Sequence, residues 1–211
     1  MGDIDILYAD DVMLAVNKPA GMLSVPGKNP ADGLSLIDHI KMDYPDARIV
    51  HRLDQGTSGV LVIANGVQPL RYLGWQFESR QTEKTYIARV HGIIAGDSGL
   101  IDEPLVCDYP NRPKQKICYE HGRSAQTYWT VLERLDNSTI LELKPITGRS
   151  HQLRVHCQHL GHPILGDYFY ATGEALAASE RLELYAYQLS IKHPVTDEMM
   201  TFTAPCPYVR T

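Results

Sequence analysis

The sequence predicts an α+β fold, a mostly antiparallel mixed sheet flanked by helices and loops, and three observations carry that prediction. Short apolar runs alternate with polar turns. These strand-like runs outnumber the segments with helical spacing. Neither G-x-G-x-x-G nor G-x-x-x-x-G-K-[ST], the phosphate loops of doubly wound nucleotide-binding folds, occurs anywhere. A chain of 211 residues, 44% of them hydrophobic, is long enough to bury a core, and one domain with two lobes is expected.

Taken in order, "DIDILYADDVMLAVNKPAG" alternates through Ile4, Ile6 and Tyr8, breaks at Asp10-Asp11 and resumes through Met13 to Val16, which predicts a strand pair. Leu34, Ile37 and Ile40 recur at threes, a short helix over 34–42 closed by Tyr44-Pro45. "VLVIA" at 60–64 is a continuous apolar run, the mark of a strand buried on both faces. Leu70, Leu73 and Phe77 share one face of a helix over 67–80, and "KTYIARVHGII" at 84–94 follows as a strand. The middle of the chain reads as loop-rich around Pro104, Pro110 and Pro113. "AQTYWTVLERL" and "TILELKPI" flank the Asp136-Asn137-Ser138 turn as a hairpin. A helix over 150–160 takes Ser150 as its N-cap, a second spans 173–181, and "ELYAYQLSIKH" with "EMMTFTAP" forms a terminal strand pair.

No apolar run approaches the roughly 18 residues that cross a bilayer, and the N-terminal residues are acidic where a secretory signal is basic. The expectation is a soluble cytoplasmic protein with no membrane partner. Cys107, Cys118, Cys157 and Cys206 are widely spaced and read as free buried thiols. The net charge of -5 is unevenly spread. Residues 109–123 hold Arg112, Lys114, Lys116 and Arg123 against Glu120 alone, and 144–166 hold Lys144, Arg149 and Arg154 with no acid. A solvated loop and a nucleic-acid surface both fit such a distribution.

"HRLDQGTSG" at 51–59 places Arg52 and Asp54 on one side of an extended segment, with His51 and Leu53 on the other. An adjacent guanidinium favours an ionised carboxylate, which suits a nucleophile; the alternative is that Asp54 only shapes the Gln55-Gly56-Thr57 turn. His151, His156, His159 and His162 with Cys157 are numerous enough for zinc, but no paired cysteines and no H-E-x-x-H array accompany them, so no metal is expected. On a basic segment, histidines serve equally as neutral hydrogen-bonders to backbone or phosphate.

"NKPAGMLSVPG", "HRLDQGTSG", "KTYIARV", "TGRSHQLRVH" and "GHPILGD" occur in this order, and the series closely resembles the RluA family of pseudouridine synthases over nearly the whole chain. "CDYPNRPKQK" at 107–116 is similar to members that modify both a 23S ribosomal RNA loop and a tRNA anticodon loop. The resemblance implies the pseudouridine synthase catalytic fold, with no cofactor, and a structured RNA as partner. It implies Asp54 as the essential carboxylate, Arg154 as the arginine paired with it, and Tyr86 as the aromatic stacking on an extruded base. Arg52, beside the nucleophile, is expected to fill the space left by that base or clamp its phosphate. Arg112, Lys114, Lys116, Arg149 and His151 are the remaining expected RNA contacts. A monomer without the RNA-binding S4 domain is expected, with target choice resting on the catalytic domain. A non-catalytic RNA-binding protein or chaperone of the same fold is the competing reading.

Overall fold

The computed structural model describes residues 4–29, 31 and 33–209. In chain order its strands are β1 (Asp5–Ala9), β2 (Met13–Lys18), β3 (Ala47–Ile49), β4 (Ser58–Asn65), β5 (Glu83–His91), β6 (Ser98–Asp102), β7 (Leu105–Cys107), β8 (Gln115–Ile117), β9 (Gln126–Arg134), β10 (Ser138–Pro145), β11 (Leu184–Lys192) and β12 (Met199–Thr203). The helices are α1 (Leu36–Asp43), α2 (Val67–Glu78), α3 (Gln152–His159) and α4 (Gly173–Ala177). This is an α+β chain, and it divides into two compact units. One comprises residues up to Lys84 and those from Tyr185 onward; the other is Thr85–Leu184.

In the first unit, β1 and β2 pair antiparallel, and the break between them has a cause: the Asp10 carboxylate accepts the N–H groups of Val12 and Met13 at 2.9 and 2.7 Å. β2 lies antiparallel on one edge of β4, from Met13↔Ala64 to Lys18↔Gly59. β3 and β11 share the other edge, β3 antiparallel against Ile63–Asn65 and β11 parallel at Ser58 and Gly59. β12 extends β11 antiparallel. β4 is therefore central, and Val60 to Ala64 are at most 2% exposed, as their unbroken apolar run requires. Gly59 (φ 114) is the one residue type the parallel contact allows, since a Cβ there would stand 2.2 Å from the Ala186 carbonyl oxygen. α1 starts at a capping box in which Ser35 and Asp38 bond reciprocally, and its C-cap is Tyr44, just before Pro45. Leu73 of α2 packs on the Met13, Val60, Val62, Leu189 and Phe202 cluster.

In the second unit β5, β10, β9 and β6 form an antiparallel series, over a core that includes Val90, Leu141, Leu143, Trp129 and Leu153. The expected hairpin is β9–β10. The middle of the chain is not simply loop: β6 pairs with β9, and β7 pairs with β8 as a separate hairpin. Their runs are too short to alternate visibly, and β6 is fixed by a partner far along the chain. Gly99 in β6 makes that possible, because a Cβ would meet the Trp129 ring at 2.8 Å.

Each helix is shorter than its expected span, and for two of them the cause is visible. α3 begins at Gln152 with His151, not Ser150, as its N-cap, in the left-handed region at φ 54. The Gln152 carboxamide oxygen accepts the Arg149 N–H (3.0 Å) and the Thr147 hydroxyl (2.8 Å), so the preceding loop is capped from within the helix. α4 stops at Ala177 because the Ser179 hydroxyl turns to Glu183 (2.7 Å) and to the Arg181 N–H (3.3 Å). All four cysteines are free thiols, with Cys157 and Cys206 buried and Cys107 and Cys118 only half-buried on or beside the β7–β8 hairpin. Among the described residues, no helix is long and apolar enough to cross a membrane.

Candidate active site

The loop 51–57 of the first unit is held at nearly every residue. The His51 ring stacks on Phe77 with centroids 4.3 Å apart, and its Nε2 accepts the Val62 N–H at 3.0 Å. Burial, aided by the Lys84 charge, pushes His51 down to about 3, so the imidazole stays neutral and keeps that acceptor. The Leu53 backbone is clamped on both sides by one hydroxyl: Ser24 Oγ donates to its carbonyl (3.0 Å) and accepts its N–H (3.2 Å). Gln55 is stitched to the turn after β2, its carbonyl accepting the Gly21 N–H (2.8 Å) and its amide donating to the Gly21 carbonyl (3.1 Å). The main-chain carbonyl of Asp54 closes the turn by accepting the Thr57 N–H at 3.1 Å.

Leu53 is buried, Asp54 is half-exposed and Arg52 is exposed, the alternation that extended backbone dictates. Behind the loop lies Lys18, with no exposed surface. Its three ammonium donors meet the carbonyls of Pro19 (2.8 Å), Met22 (2.7 Å) and Gln55 (3.2 Å). Burial lowers Lys18 to about 8, and Asp54 opposes that shift as the charge that favours the ammonium. A buried cation thus faces the half-exposed carboxylate of Asp54.

The second unit holds the other candidates. Arg154 on α3 is 2% exposed and forms a side-on pair with fully buried Asp167: Nε to Oδ2 is 2.7 Å and Nη2 to Oδ1 is 2.6 Å. Asp167 Oδ1 also accepts the N–H groups of Phe169 and Tyr170 at 3.0 and 3.3 Å. The rings of Tyr168, Phe169 and Tyr170 surround the guanidinium, with centroids 5.7, 5.1 and 5.2 Å from Cζ. Tyr86 stands on β5 opposite Leu143, half-buried against the core. Arg149 is half-buried, with Nε donating to the Ser124 carbonyl at 3.1 Å.

His151 Nδ1 lies 2.7 Å from the Tyr170 hydroxyl, which also accepts the Gln115 N–H at 2.8 Å and so ties the β7–β8 hairpin to the start of α3. Arg112 and Lys116 on this hairpin are exposed, Lys114 is half-buried, and Lys116 reaches Asp108 at 3.3 Å.

The histidines do not assemble as ligands. His156 bridges the Thr127 hydroxyl (2.9 Å) and the Glu103 carbonyl (3.2 Å), and burial lowers its pKa. His162 Nδ1 meets the His91 carbonyl at 2.7 Å. Among the described residues, no three histidine, cysteine, aspartate or glutamate side chains gather as metal ligands would.

Four residues outside the expected set hold these candidates in place, Lys18 and Ser24 within the first unit and Asp167 and Tyr170 within the second. The first two fall in "NKPAGMLSVPG" and Asp167 falls in "GHPILGD", so the segments were marked although the residues were not.

Comparison with known proteins accords with these motifs. The profile of the RNA pseudouridylate synthase family matches residues 12–159. The dual-specificity RNA pseudouridine synthase RluA of Yersinia pestis is 55% identical over 198 residues, covering 93% of this chain and 96% of that protein. Its counterpart in Escherichia coli K12 is 53% identical over 204 residues, 96% and 93% of the two chains. Among solved structures, human RNA Pseudouridylate Synthase Domain Containing 1 superposes with a TM-score of 0.83 at 28% identity, covering 98% of this chain and 84% of that one. A profile spanning both the loop of Asp54 and the helix of Arg154, with relatives this similar over nearly their full length, means that the chain belongs to the RNA pseudouridylate synthase family.

Proposed function

We propose that this synthase isomerises uridines in tRNA and 23S ribosomal RNA stem-loops, with Asp54 as its essential carboxylate. The reaction breaks the C1′–N1 bond, turns the uracil over and forms a C1′–C5 bond, after which a proton leaves C5. Three first steps are open to an ionised carboxylate: attack on C1′, attack on the uracil ring, or removal of the C2′ proton. All three require Asp54 to remain charged inside a partly desolvated site.

The observation that carries the assignment is the loop itself. Its backbone is fixed by Ser24, Gly21 and Lys18, its carboxylate is half-exposed, and a buried ammonium lies behind it. Such preorganisation is what a reacting group needs and what a simple turn does not.

Arg154, locked by Asp167, supplies a guanidinium of fixed orientation to hold the Asp54 carboxylate ionised. The Tyr86 ring stacks on the extruded uracil near C5, where the final proton leaves. Extrusion costs a few kcal/mol, and the exposed Arg52 offsets part of it by filling the vacated space or clamping a phosphate. Arg112, Lys114, Lys116, Arg149 and His151 bind backbone phosphates, which makes affinity fall with salt. The enzyme acts as a monomer, without cofactor or metal.

Asp54→Asn tests the reading and separates it from a non-catalytic RNA chaperone. Pseudouridine formation in a stem-loop RNA should fall by at least about 1,000-fold, while RNA affinity stays within a few fold. Undiminished turnover would remove Asp54 from the chemistry.

A further inference from the structure

The β7–β8 hairpin carries an arrangement that phosphate binding alone does not need. At its tip the Arg112 guanidinium lies over the Tyr109 ring, with Cζ 3.3 Å from the centroid, and Tyr109 is still 70% exposed. A ring covered on one side by a guanidinium and so exposed overall has its other side in solvent. Single exposed aromatics are common on protein surfaces, Tyr119 at 74% among them; Tyr109 differs in having a guanidinium stacked on one side of its ring.

The tip is rigid. Asp108 accepts from Asn111 Nδ2 at 2.8 Å and pairs with Lys116 at 3.3 Å. Backbone bonds run from the Asp108 N–H to the Lys114 carbonyl (2.9 Å), from the Asn111 N–H to the Asp108 carbonyl (2.9 Å) and from the Lys114 N–H to the Asn111 carbonyl (3.0 Å). The base of the hairpin is sealed by Leu105 and Ile117 packing with Val155 and Tyr170, and by the bond from the Gln115 N–H to the Tyr170 hydroxyl. Ring and guanidinium are therefore presented with little freedom left to lose on binding.

We propose that Tyr109, backed by Arg112, is a stacking platform for an unpaired base of the substrate RNA. The inference rests on the RNA-modifying function proposed above. The base lies on the open face of the Tyr109 ring, and the guanidinium strengthens the stack from behind while its N–H groups reach the adjoining phosphate. Lys114 and Lys116 supply the surrounding positive potential. Stacking accepts any base because every base has a π face, so the platform serves more than one RNA loop.

Stacking and charge neutralisation separate by salt dependence. Binding of an anticodon stem-loop RNA and of a 23S-derived stem-loop RNA is measured across a range of salt concentrations for the wild type, Tyr109→Ala, Tyr109→Phe and Lys114→Ala. Tyr109→Ala should weaken binding about tenfold or more with the slope of log K against log salt unchanged, and Tyr109→Phe should restore it. Lys114→Ala should make the slope shallower by about one. In Tyr109→Trp, fluorescence above the wild-type background should be quenched when either RNA is added.

Unchanged affinity in Tyr109→Ala, or unquenched emission from Tyr109→Trp, would overturn the proposal and leave the pair as a brace for the hairpin or a contact for a protein. Wild-type turnover on the same RNAs tests the catalytic function separately, since the platform is judged by binding alone.

Discussion

Lys18 in the first unit and Arg154 in the second are both buried, yet one is enclosed by carbonyl oxygens and the other is matched by a carboxylate. Carbonyl dipoles satisfy the donors of Lys18 but leave its full charge, which opposes its own burial and acts on Asp54. Asp167 grips Arg154 side-on, so that its guanidinium is a rigid fork of set orientation. One unit stores a field and the other stores a geometry.

The largest effect should come from unbalancing the second arrangement. Asp167→Asn removes the carboxylate that grips the buried guanidinium side-on and should lower the free energy of unfolding by about 3–5 kcal/mol. Arg154→Met combined with Asp167→Leu should recover most of that loss in denaturant titrations, with turnover still absent. If the single substitution were nearly neutral, the pair would not be what fixes Arg154.

Lys18→Met should cost less, about 1–3 kcal/mol for the Pro19 and Met22 carbonyls that lose this donor. It should nonetheless slow turnover about 100-fold through the displaced loop, with RNA affinity little changed. The charge also predicts a pH signature. Lys18 titrates at about 8 in the folded protein, against 10.5 for an ordinary lysine. Between those values the unfolded chain binds more protons, so unfolding free energy should rise with pH across the window as the buried charge is relieved. Turnover should fall from about pH 8 upward, as Asp54 loses the ammonium behind it. Lys18→Met should flatten both trends, and a wild type lacking opposed trends would break the comparison.

The smallest change is Ser24→Ala, which removes the hydroxyl that bridges both sides of Leu53 and should cost about 1–2 kcal/mol. Its value is as a control: the loop loosens while Lys18 keeps its charge. The alkaline loss of turnover should therefore persist.

How legible each of these features was in the sequence depended on how local its cause was. β4 and the β9–β10 hairpin were readable because an unbroken apolar run and a polar turn between alternating runs act within a few residues. β6 was not, because its partner β9 lies beyond the β7–β8 hairpin. The start of α3 was misplaced because Ser150 has the right chemistry for an N-cap, whereas the capping is done by Gln152 reaching back to Arg149 and Thr147. Arg52 and Asp54 could be put on one side of the chain by alternation alone. Lys18 could not be connected to them, since a lysine before a proline turn says nothing about a carbonyl 37 positions away. Asp167 was hidden for the same reason: Arg154 is its partner only once α3 and the 163–171 segment have folded together.

The parallel contact of β11 with β4 bears on the order of synthesis. Thr85–Leu184 is contiguous and can close as soon as it leaves the ribosome, but the strand that leads out of the Asp54 loop waits for residues Tyr185 and Ala186 to seat beside Ser58 and Gly59. Pairing across so long an intervening segment is slow relative to local closure. The growing chain thus completes the segment that carries Arg154 and Asp167 before β11 can cover the edge of β4 at Ser58 and Gly59, although every residue that ties down the Asp54 loop, from Lys18 to Phe77, has already been made.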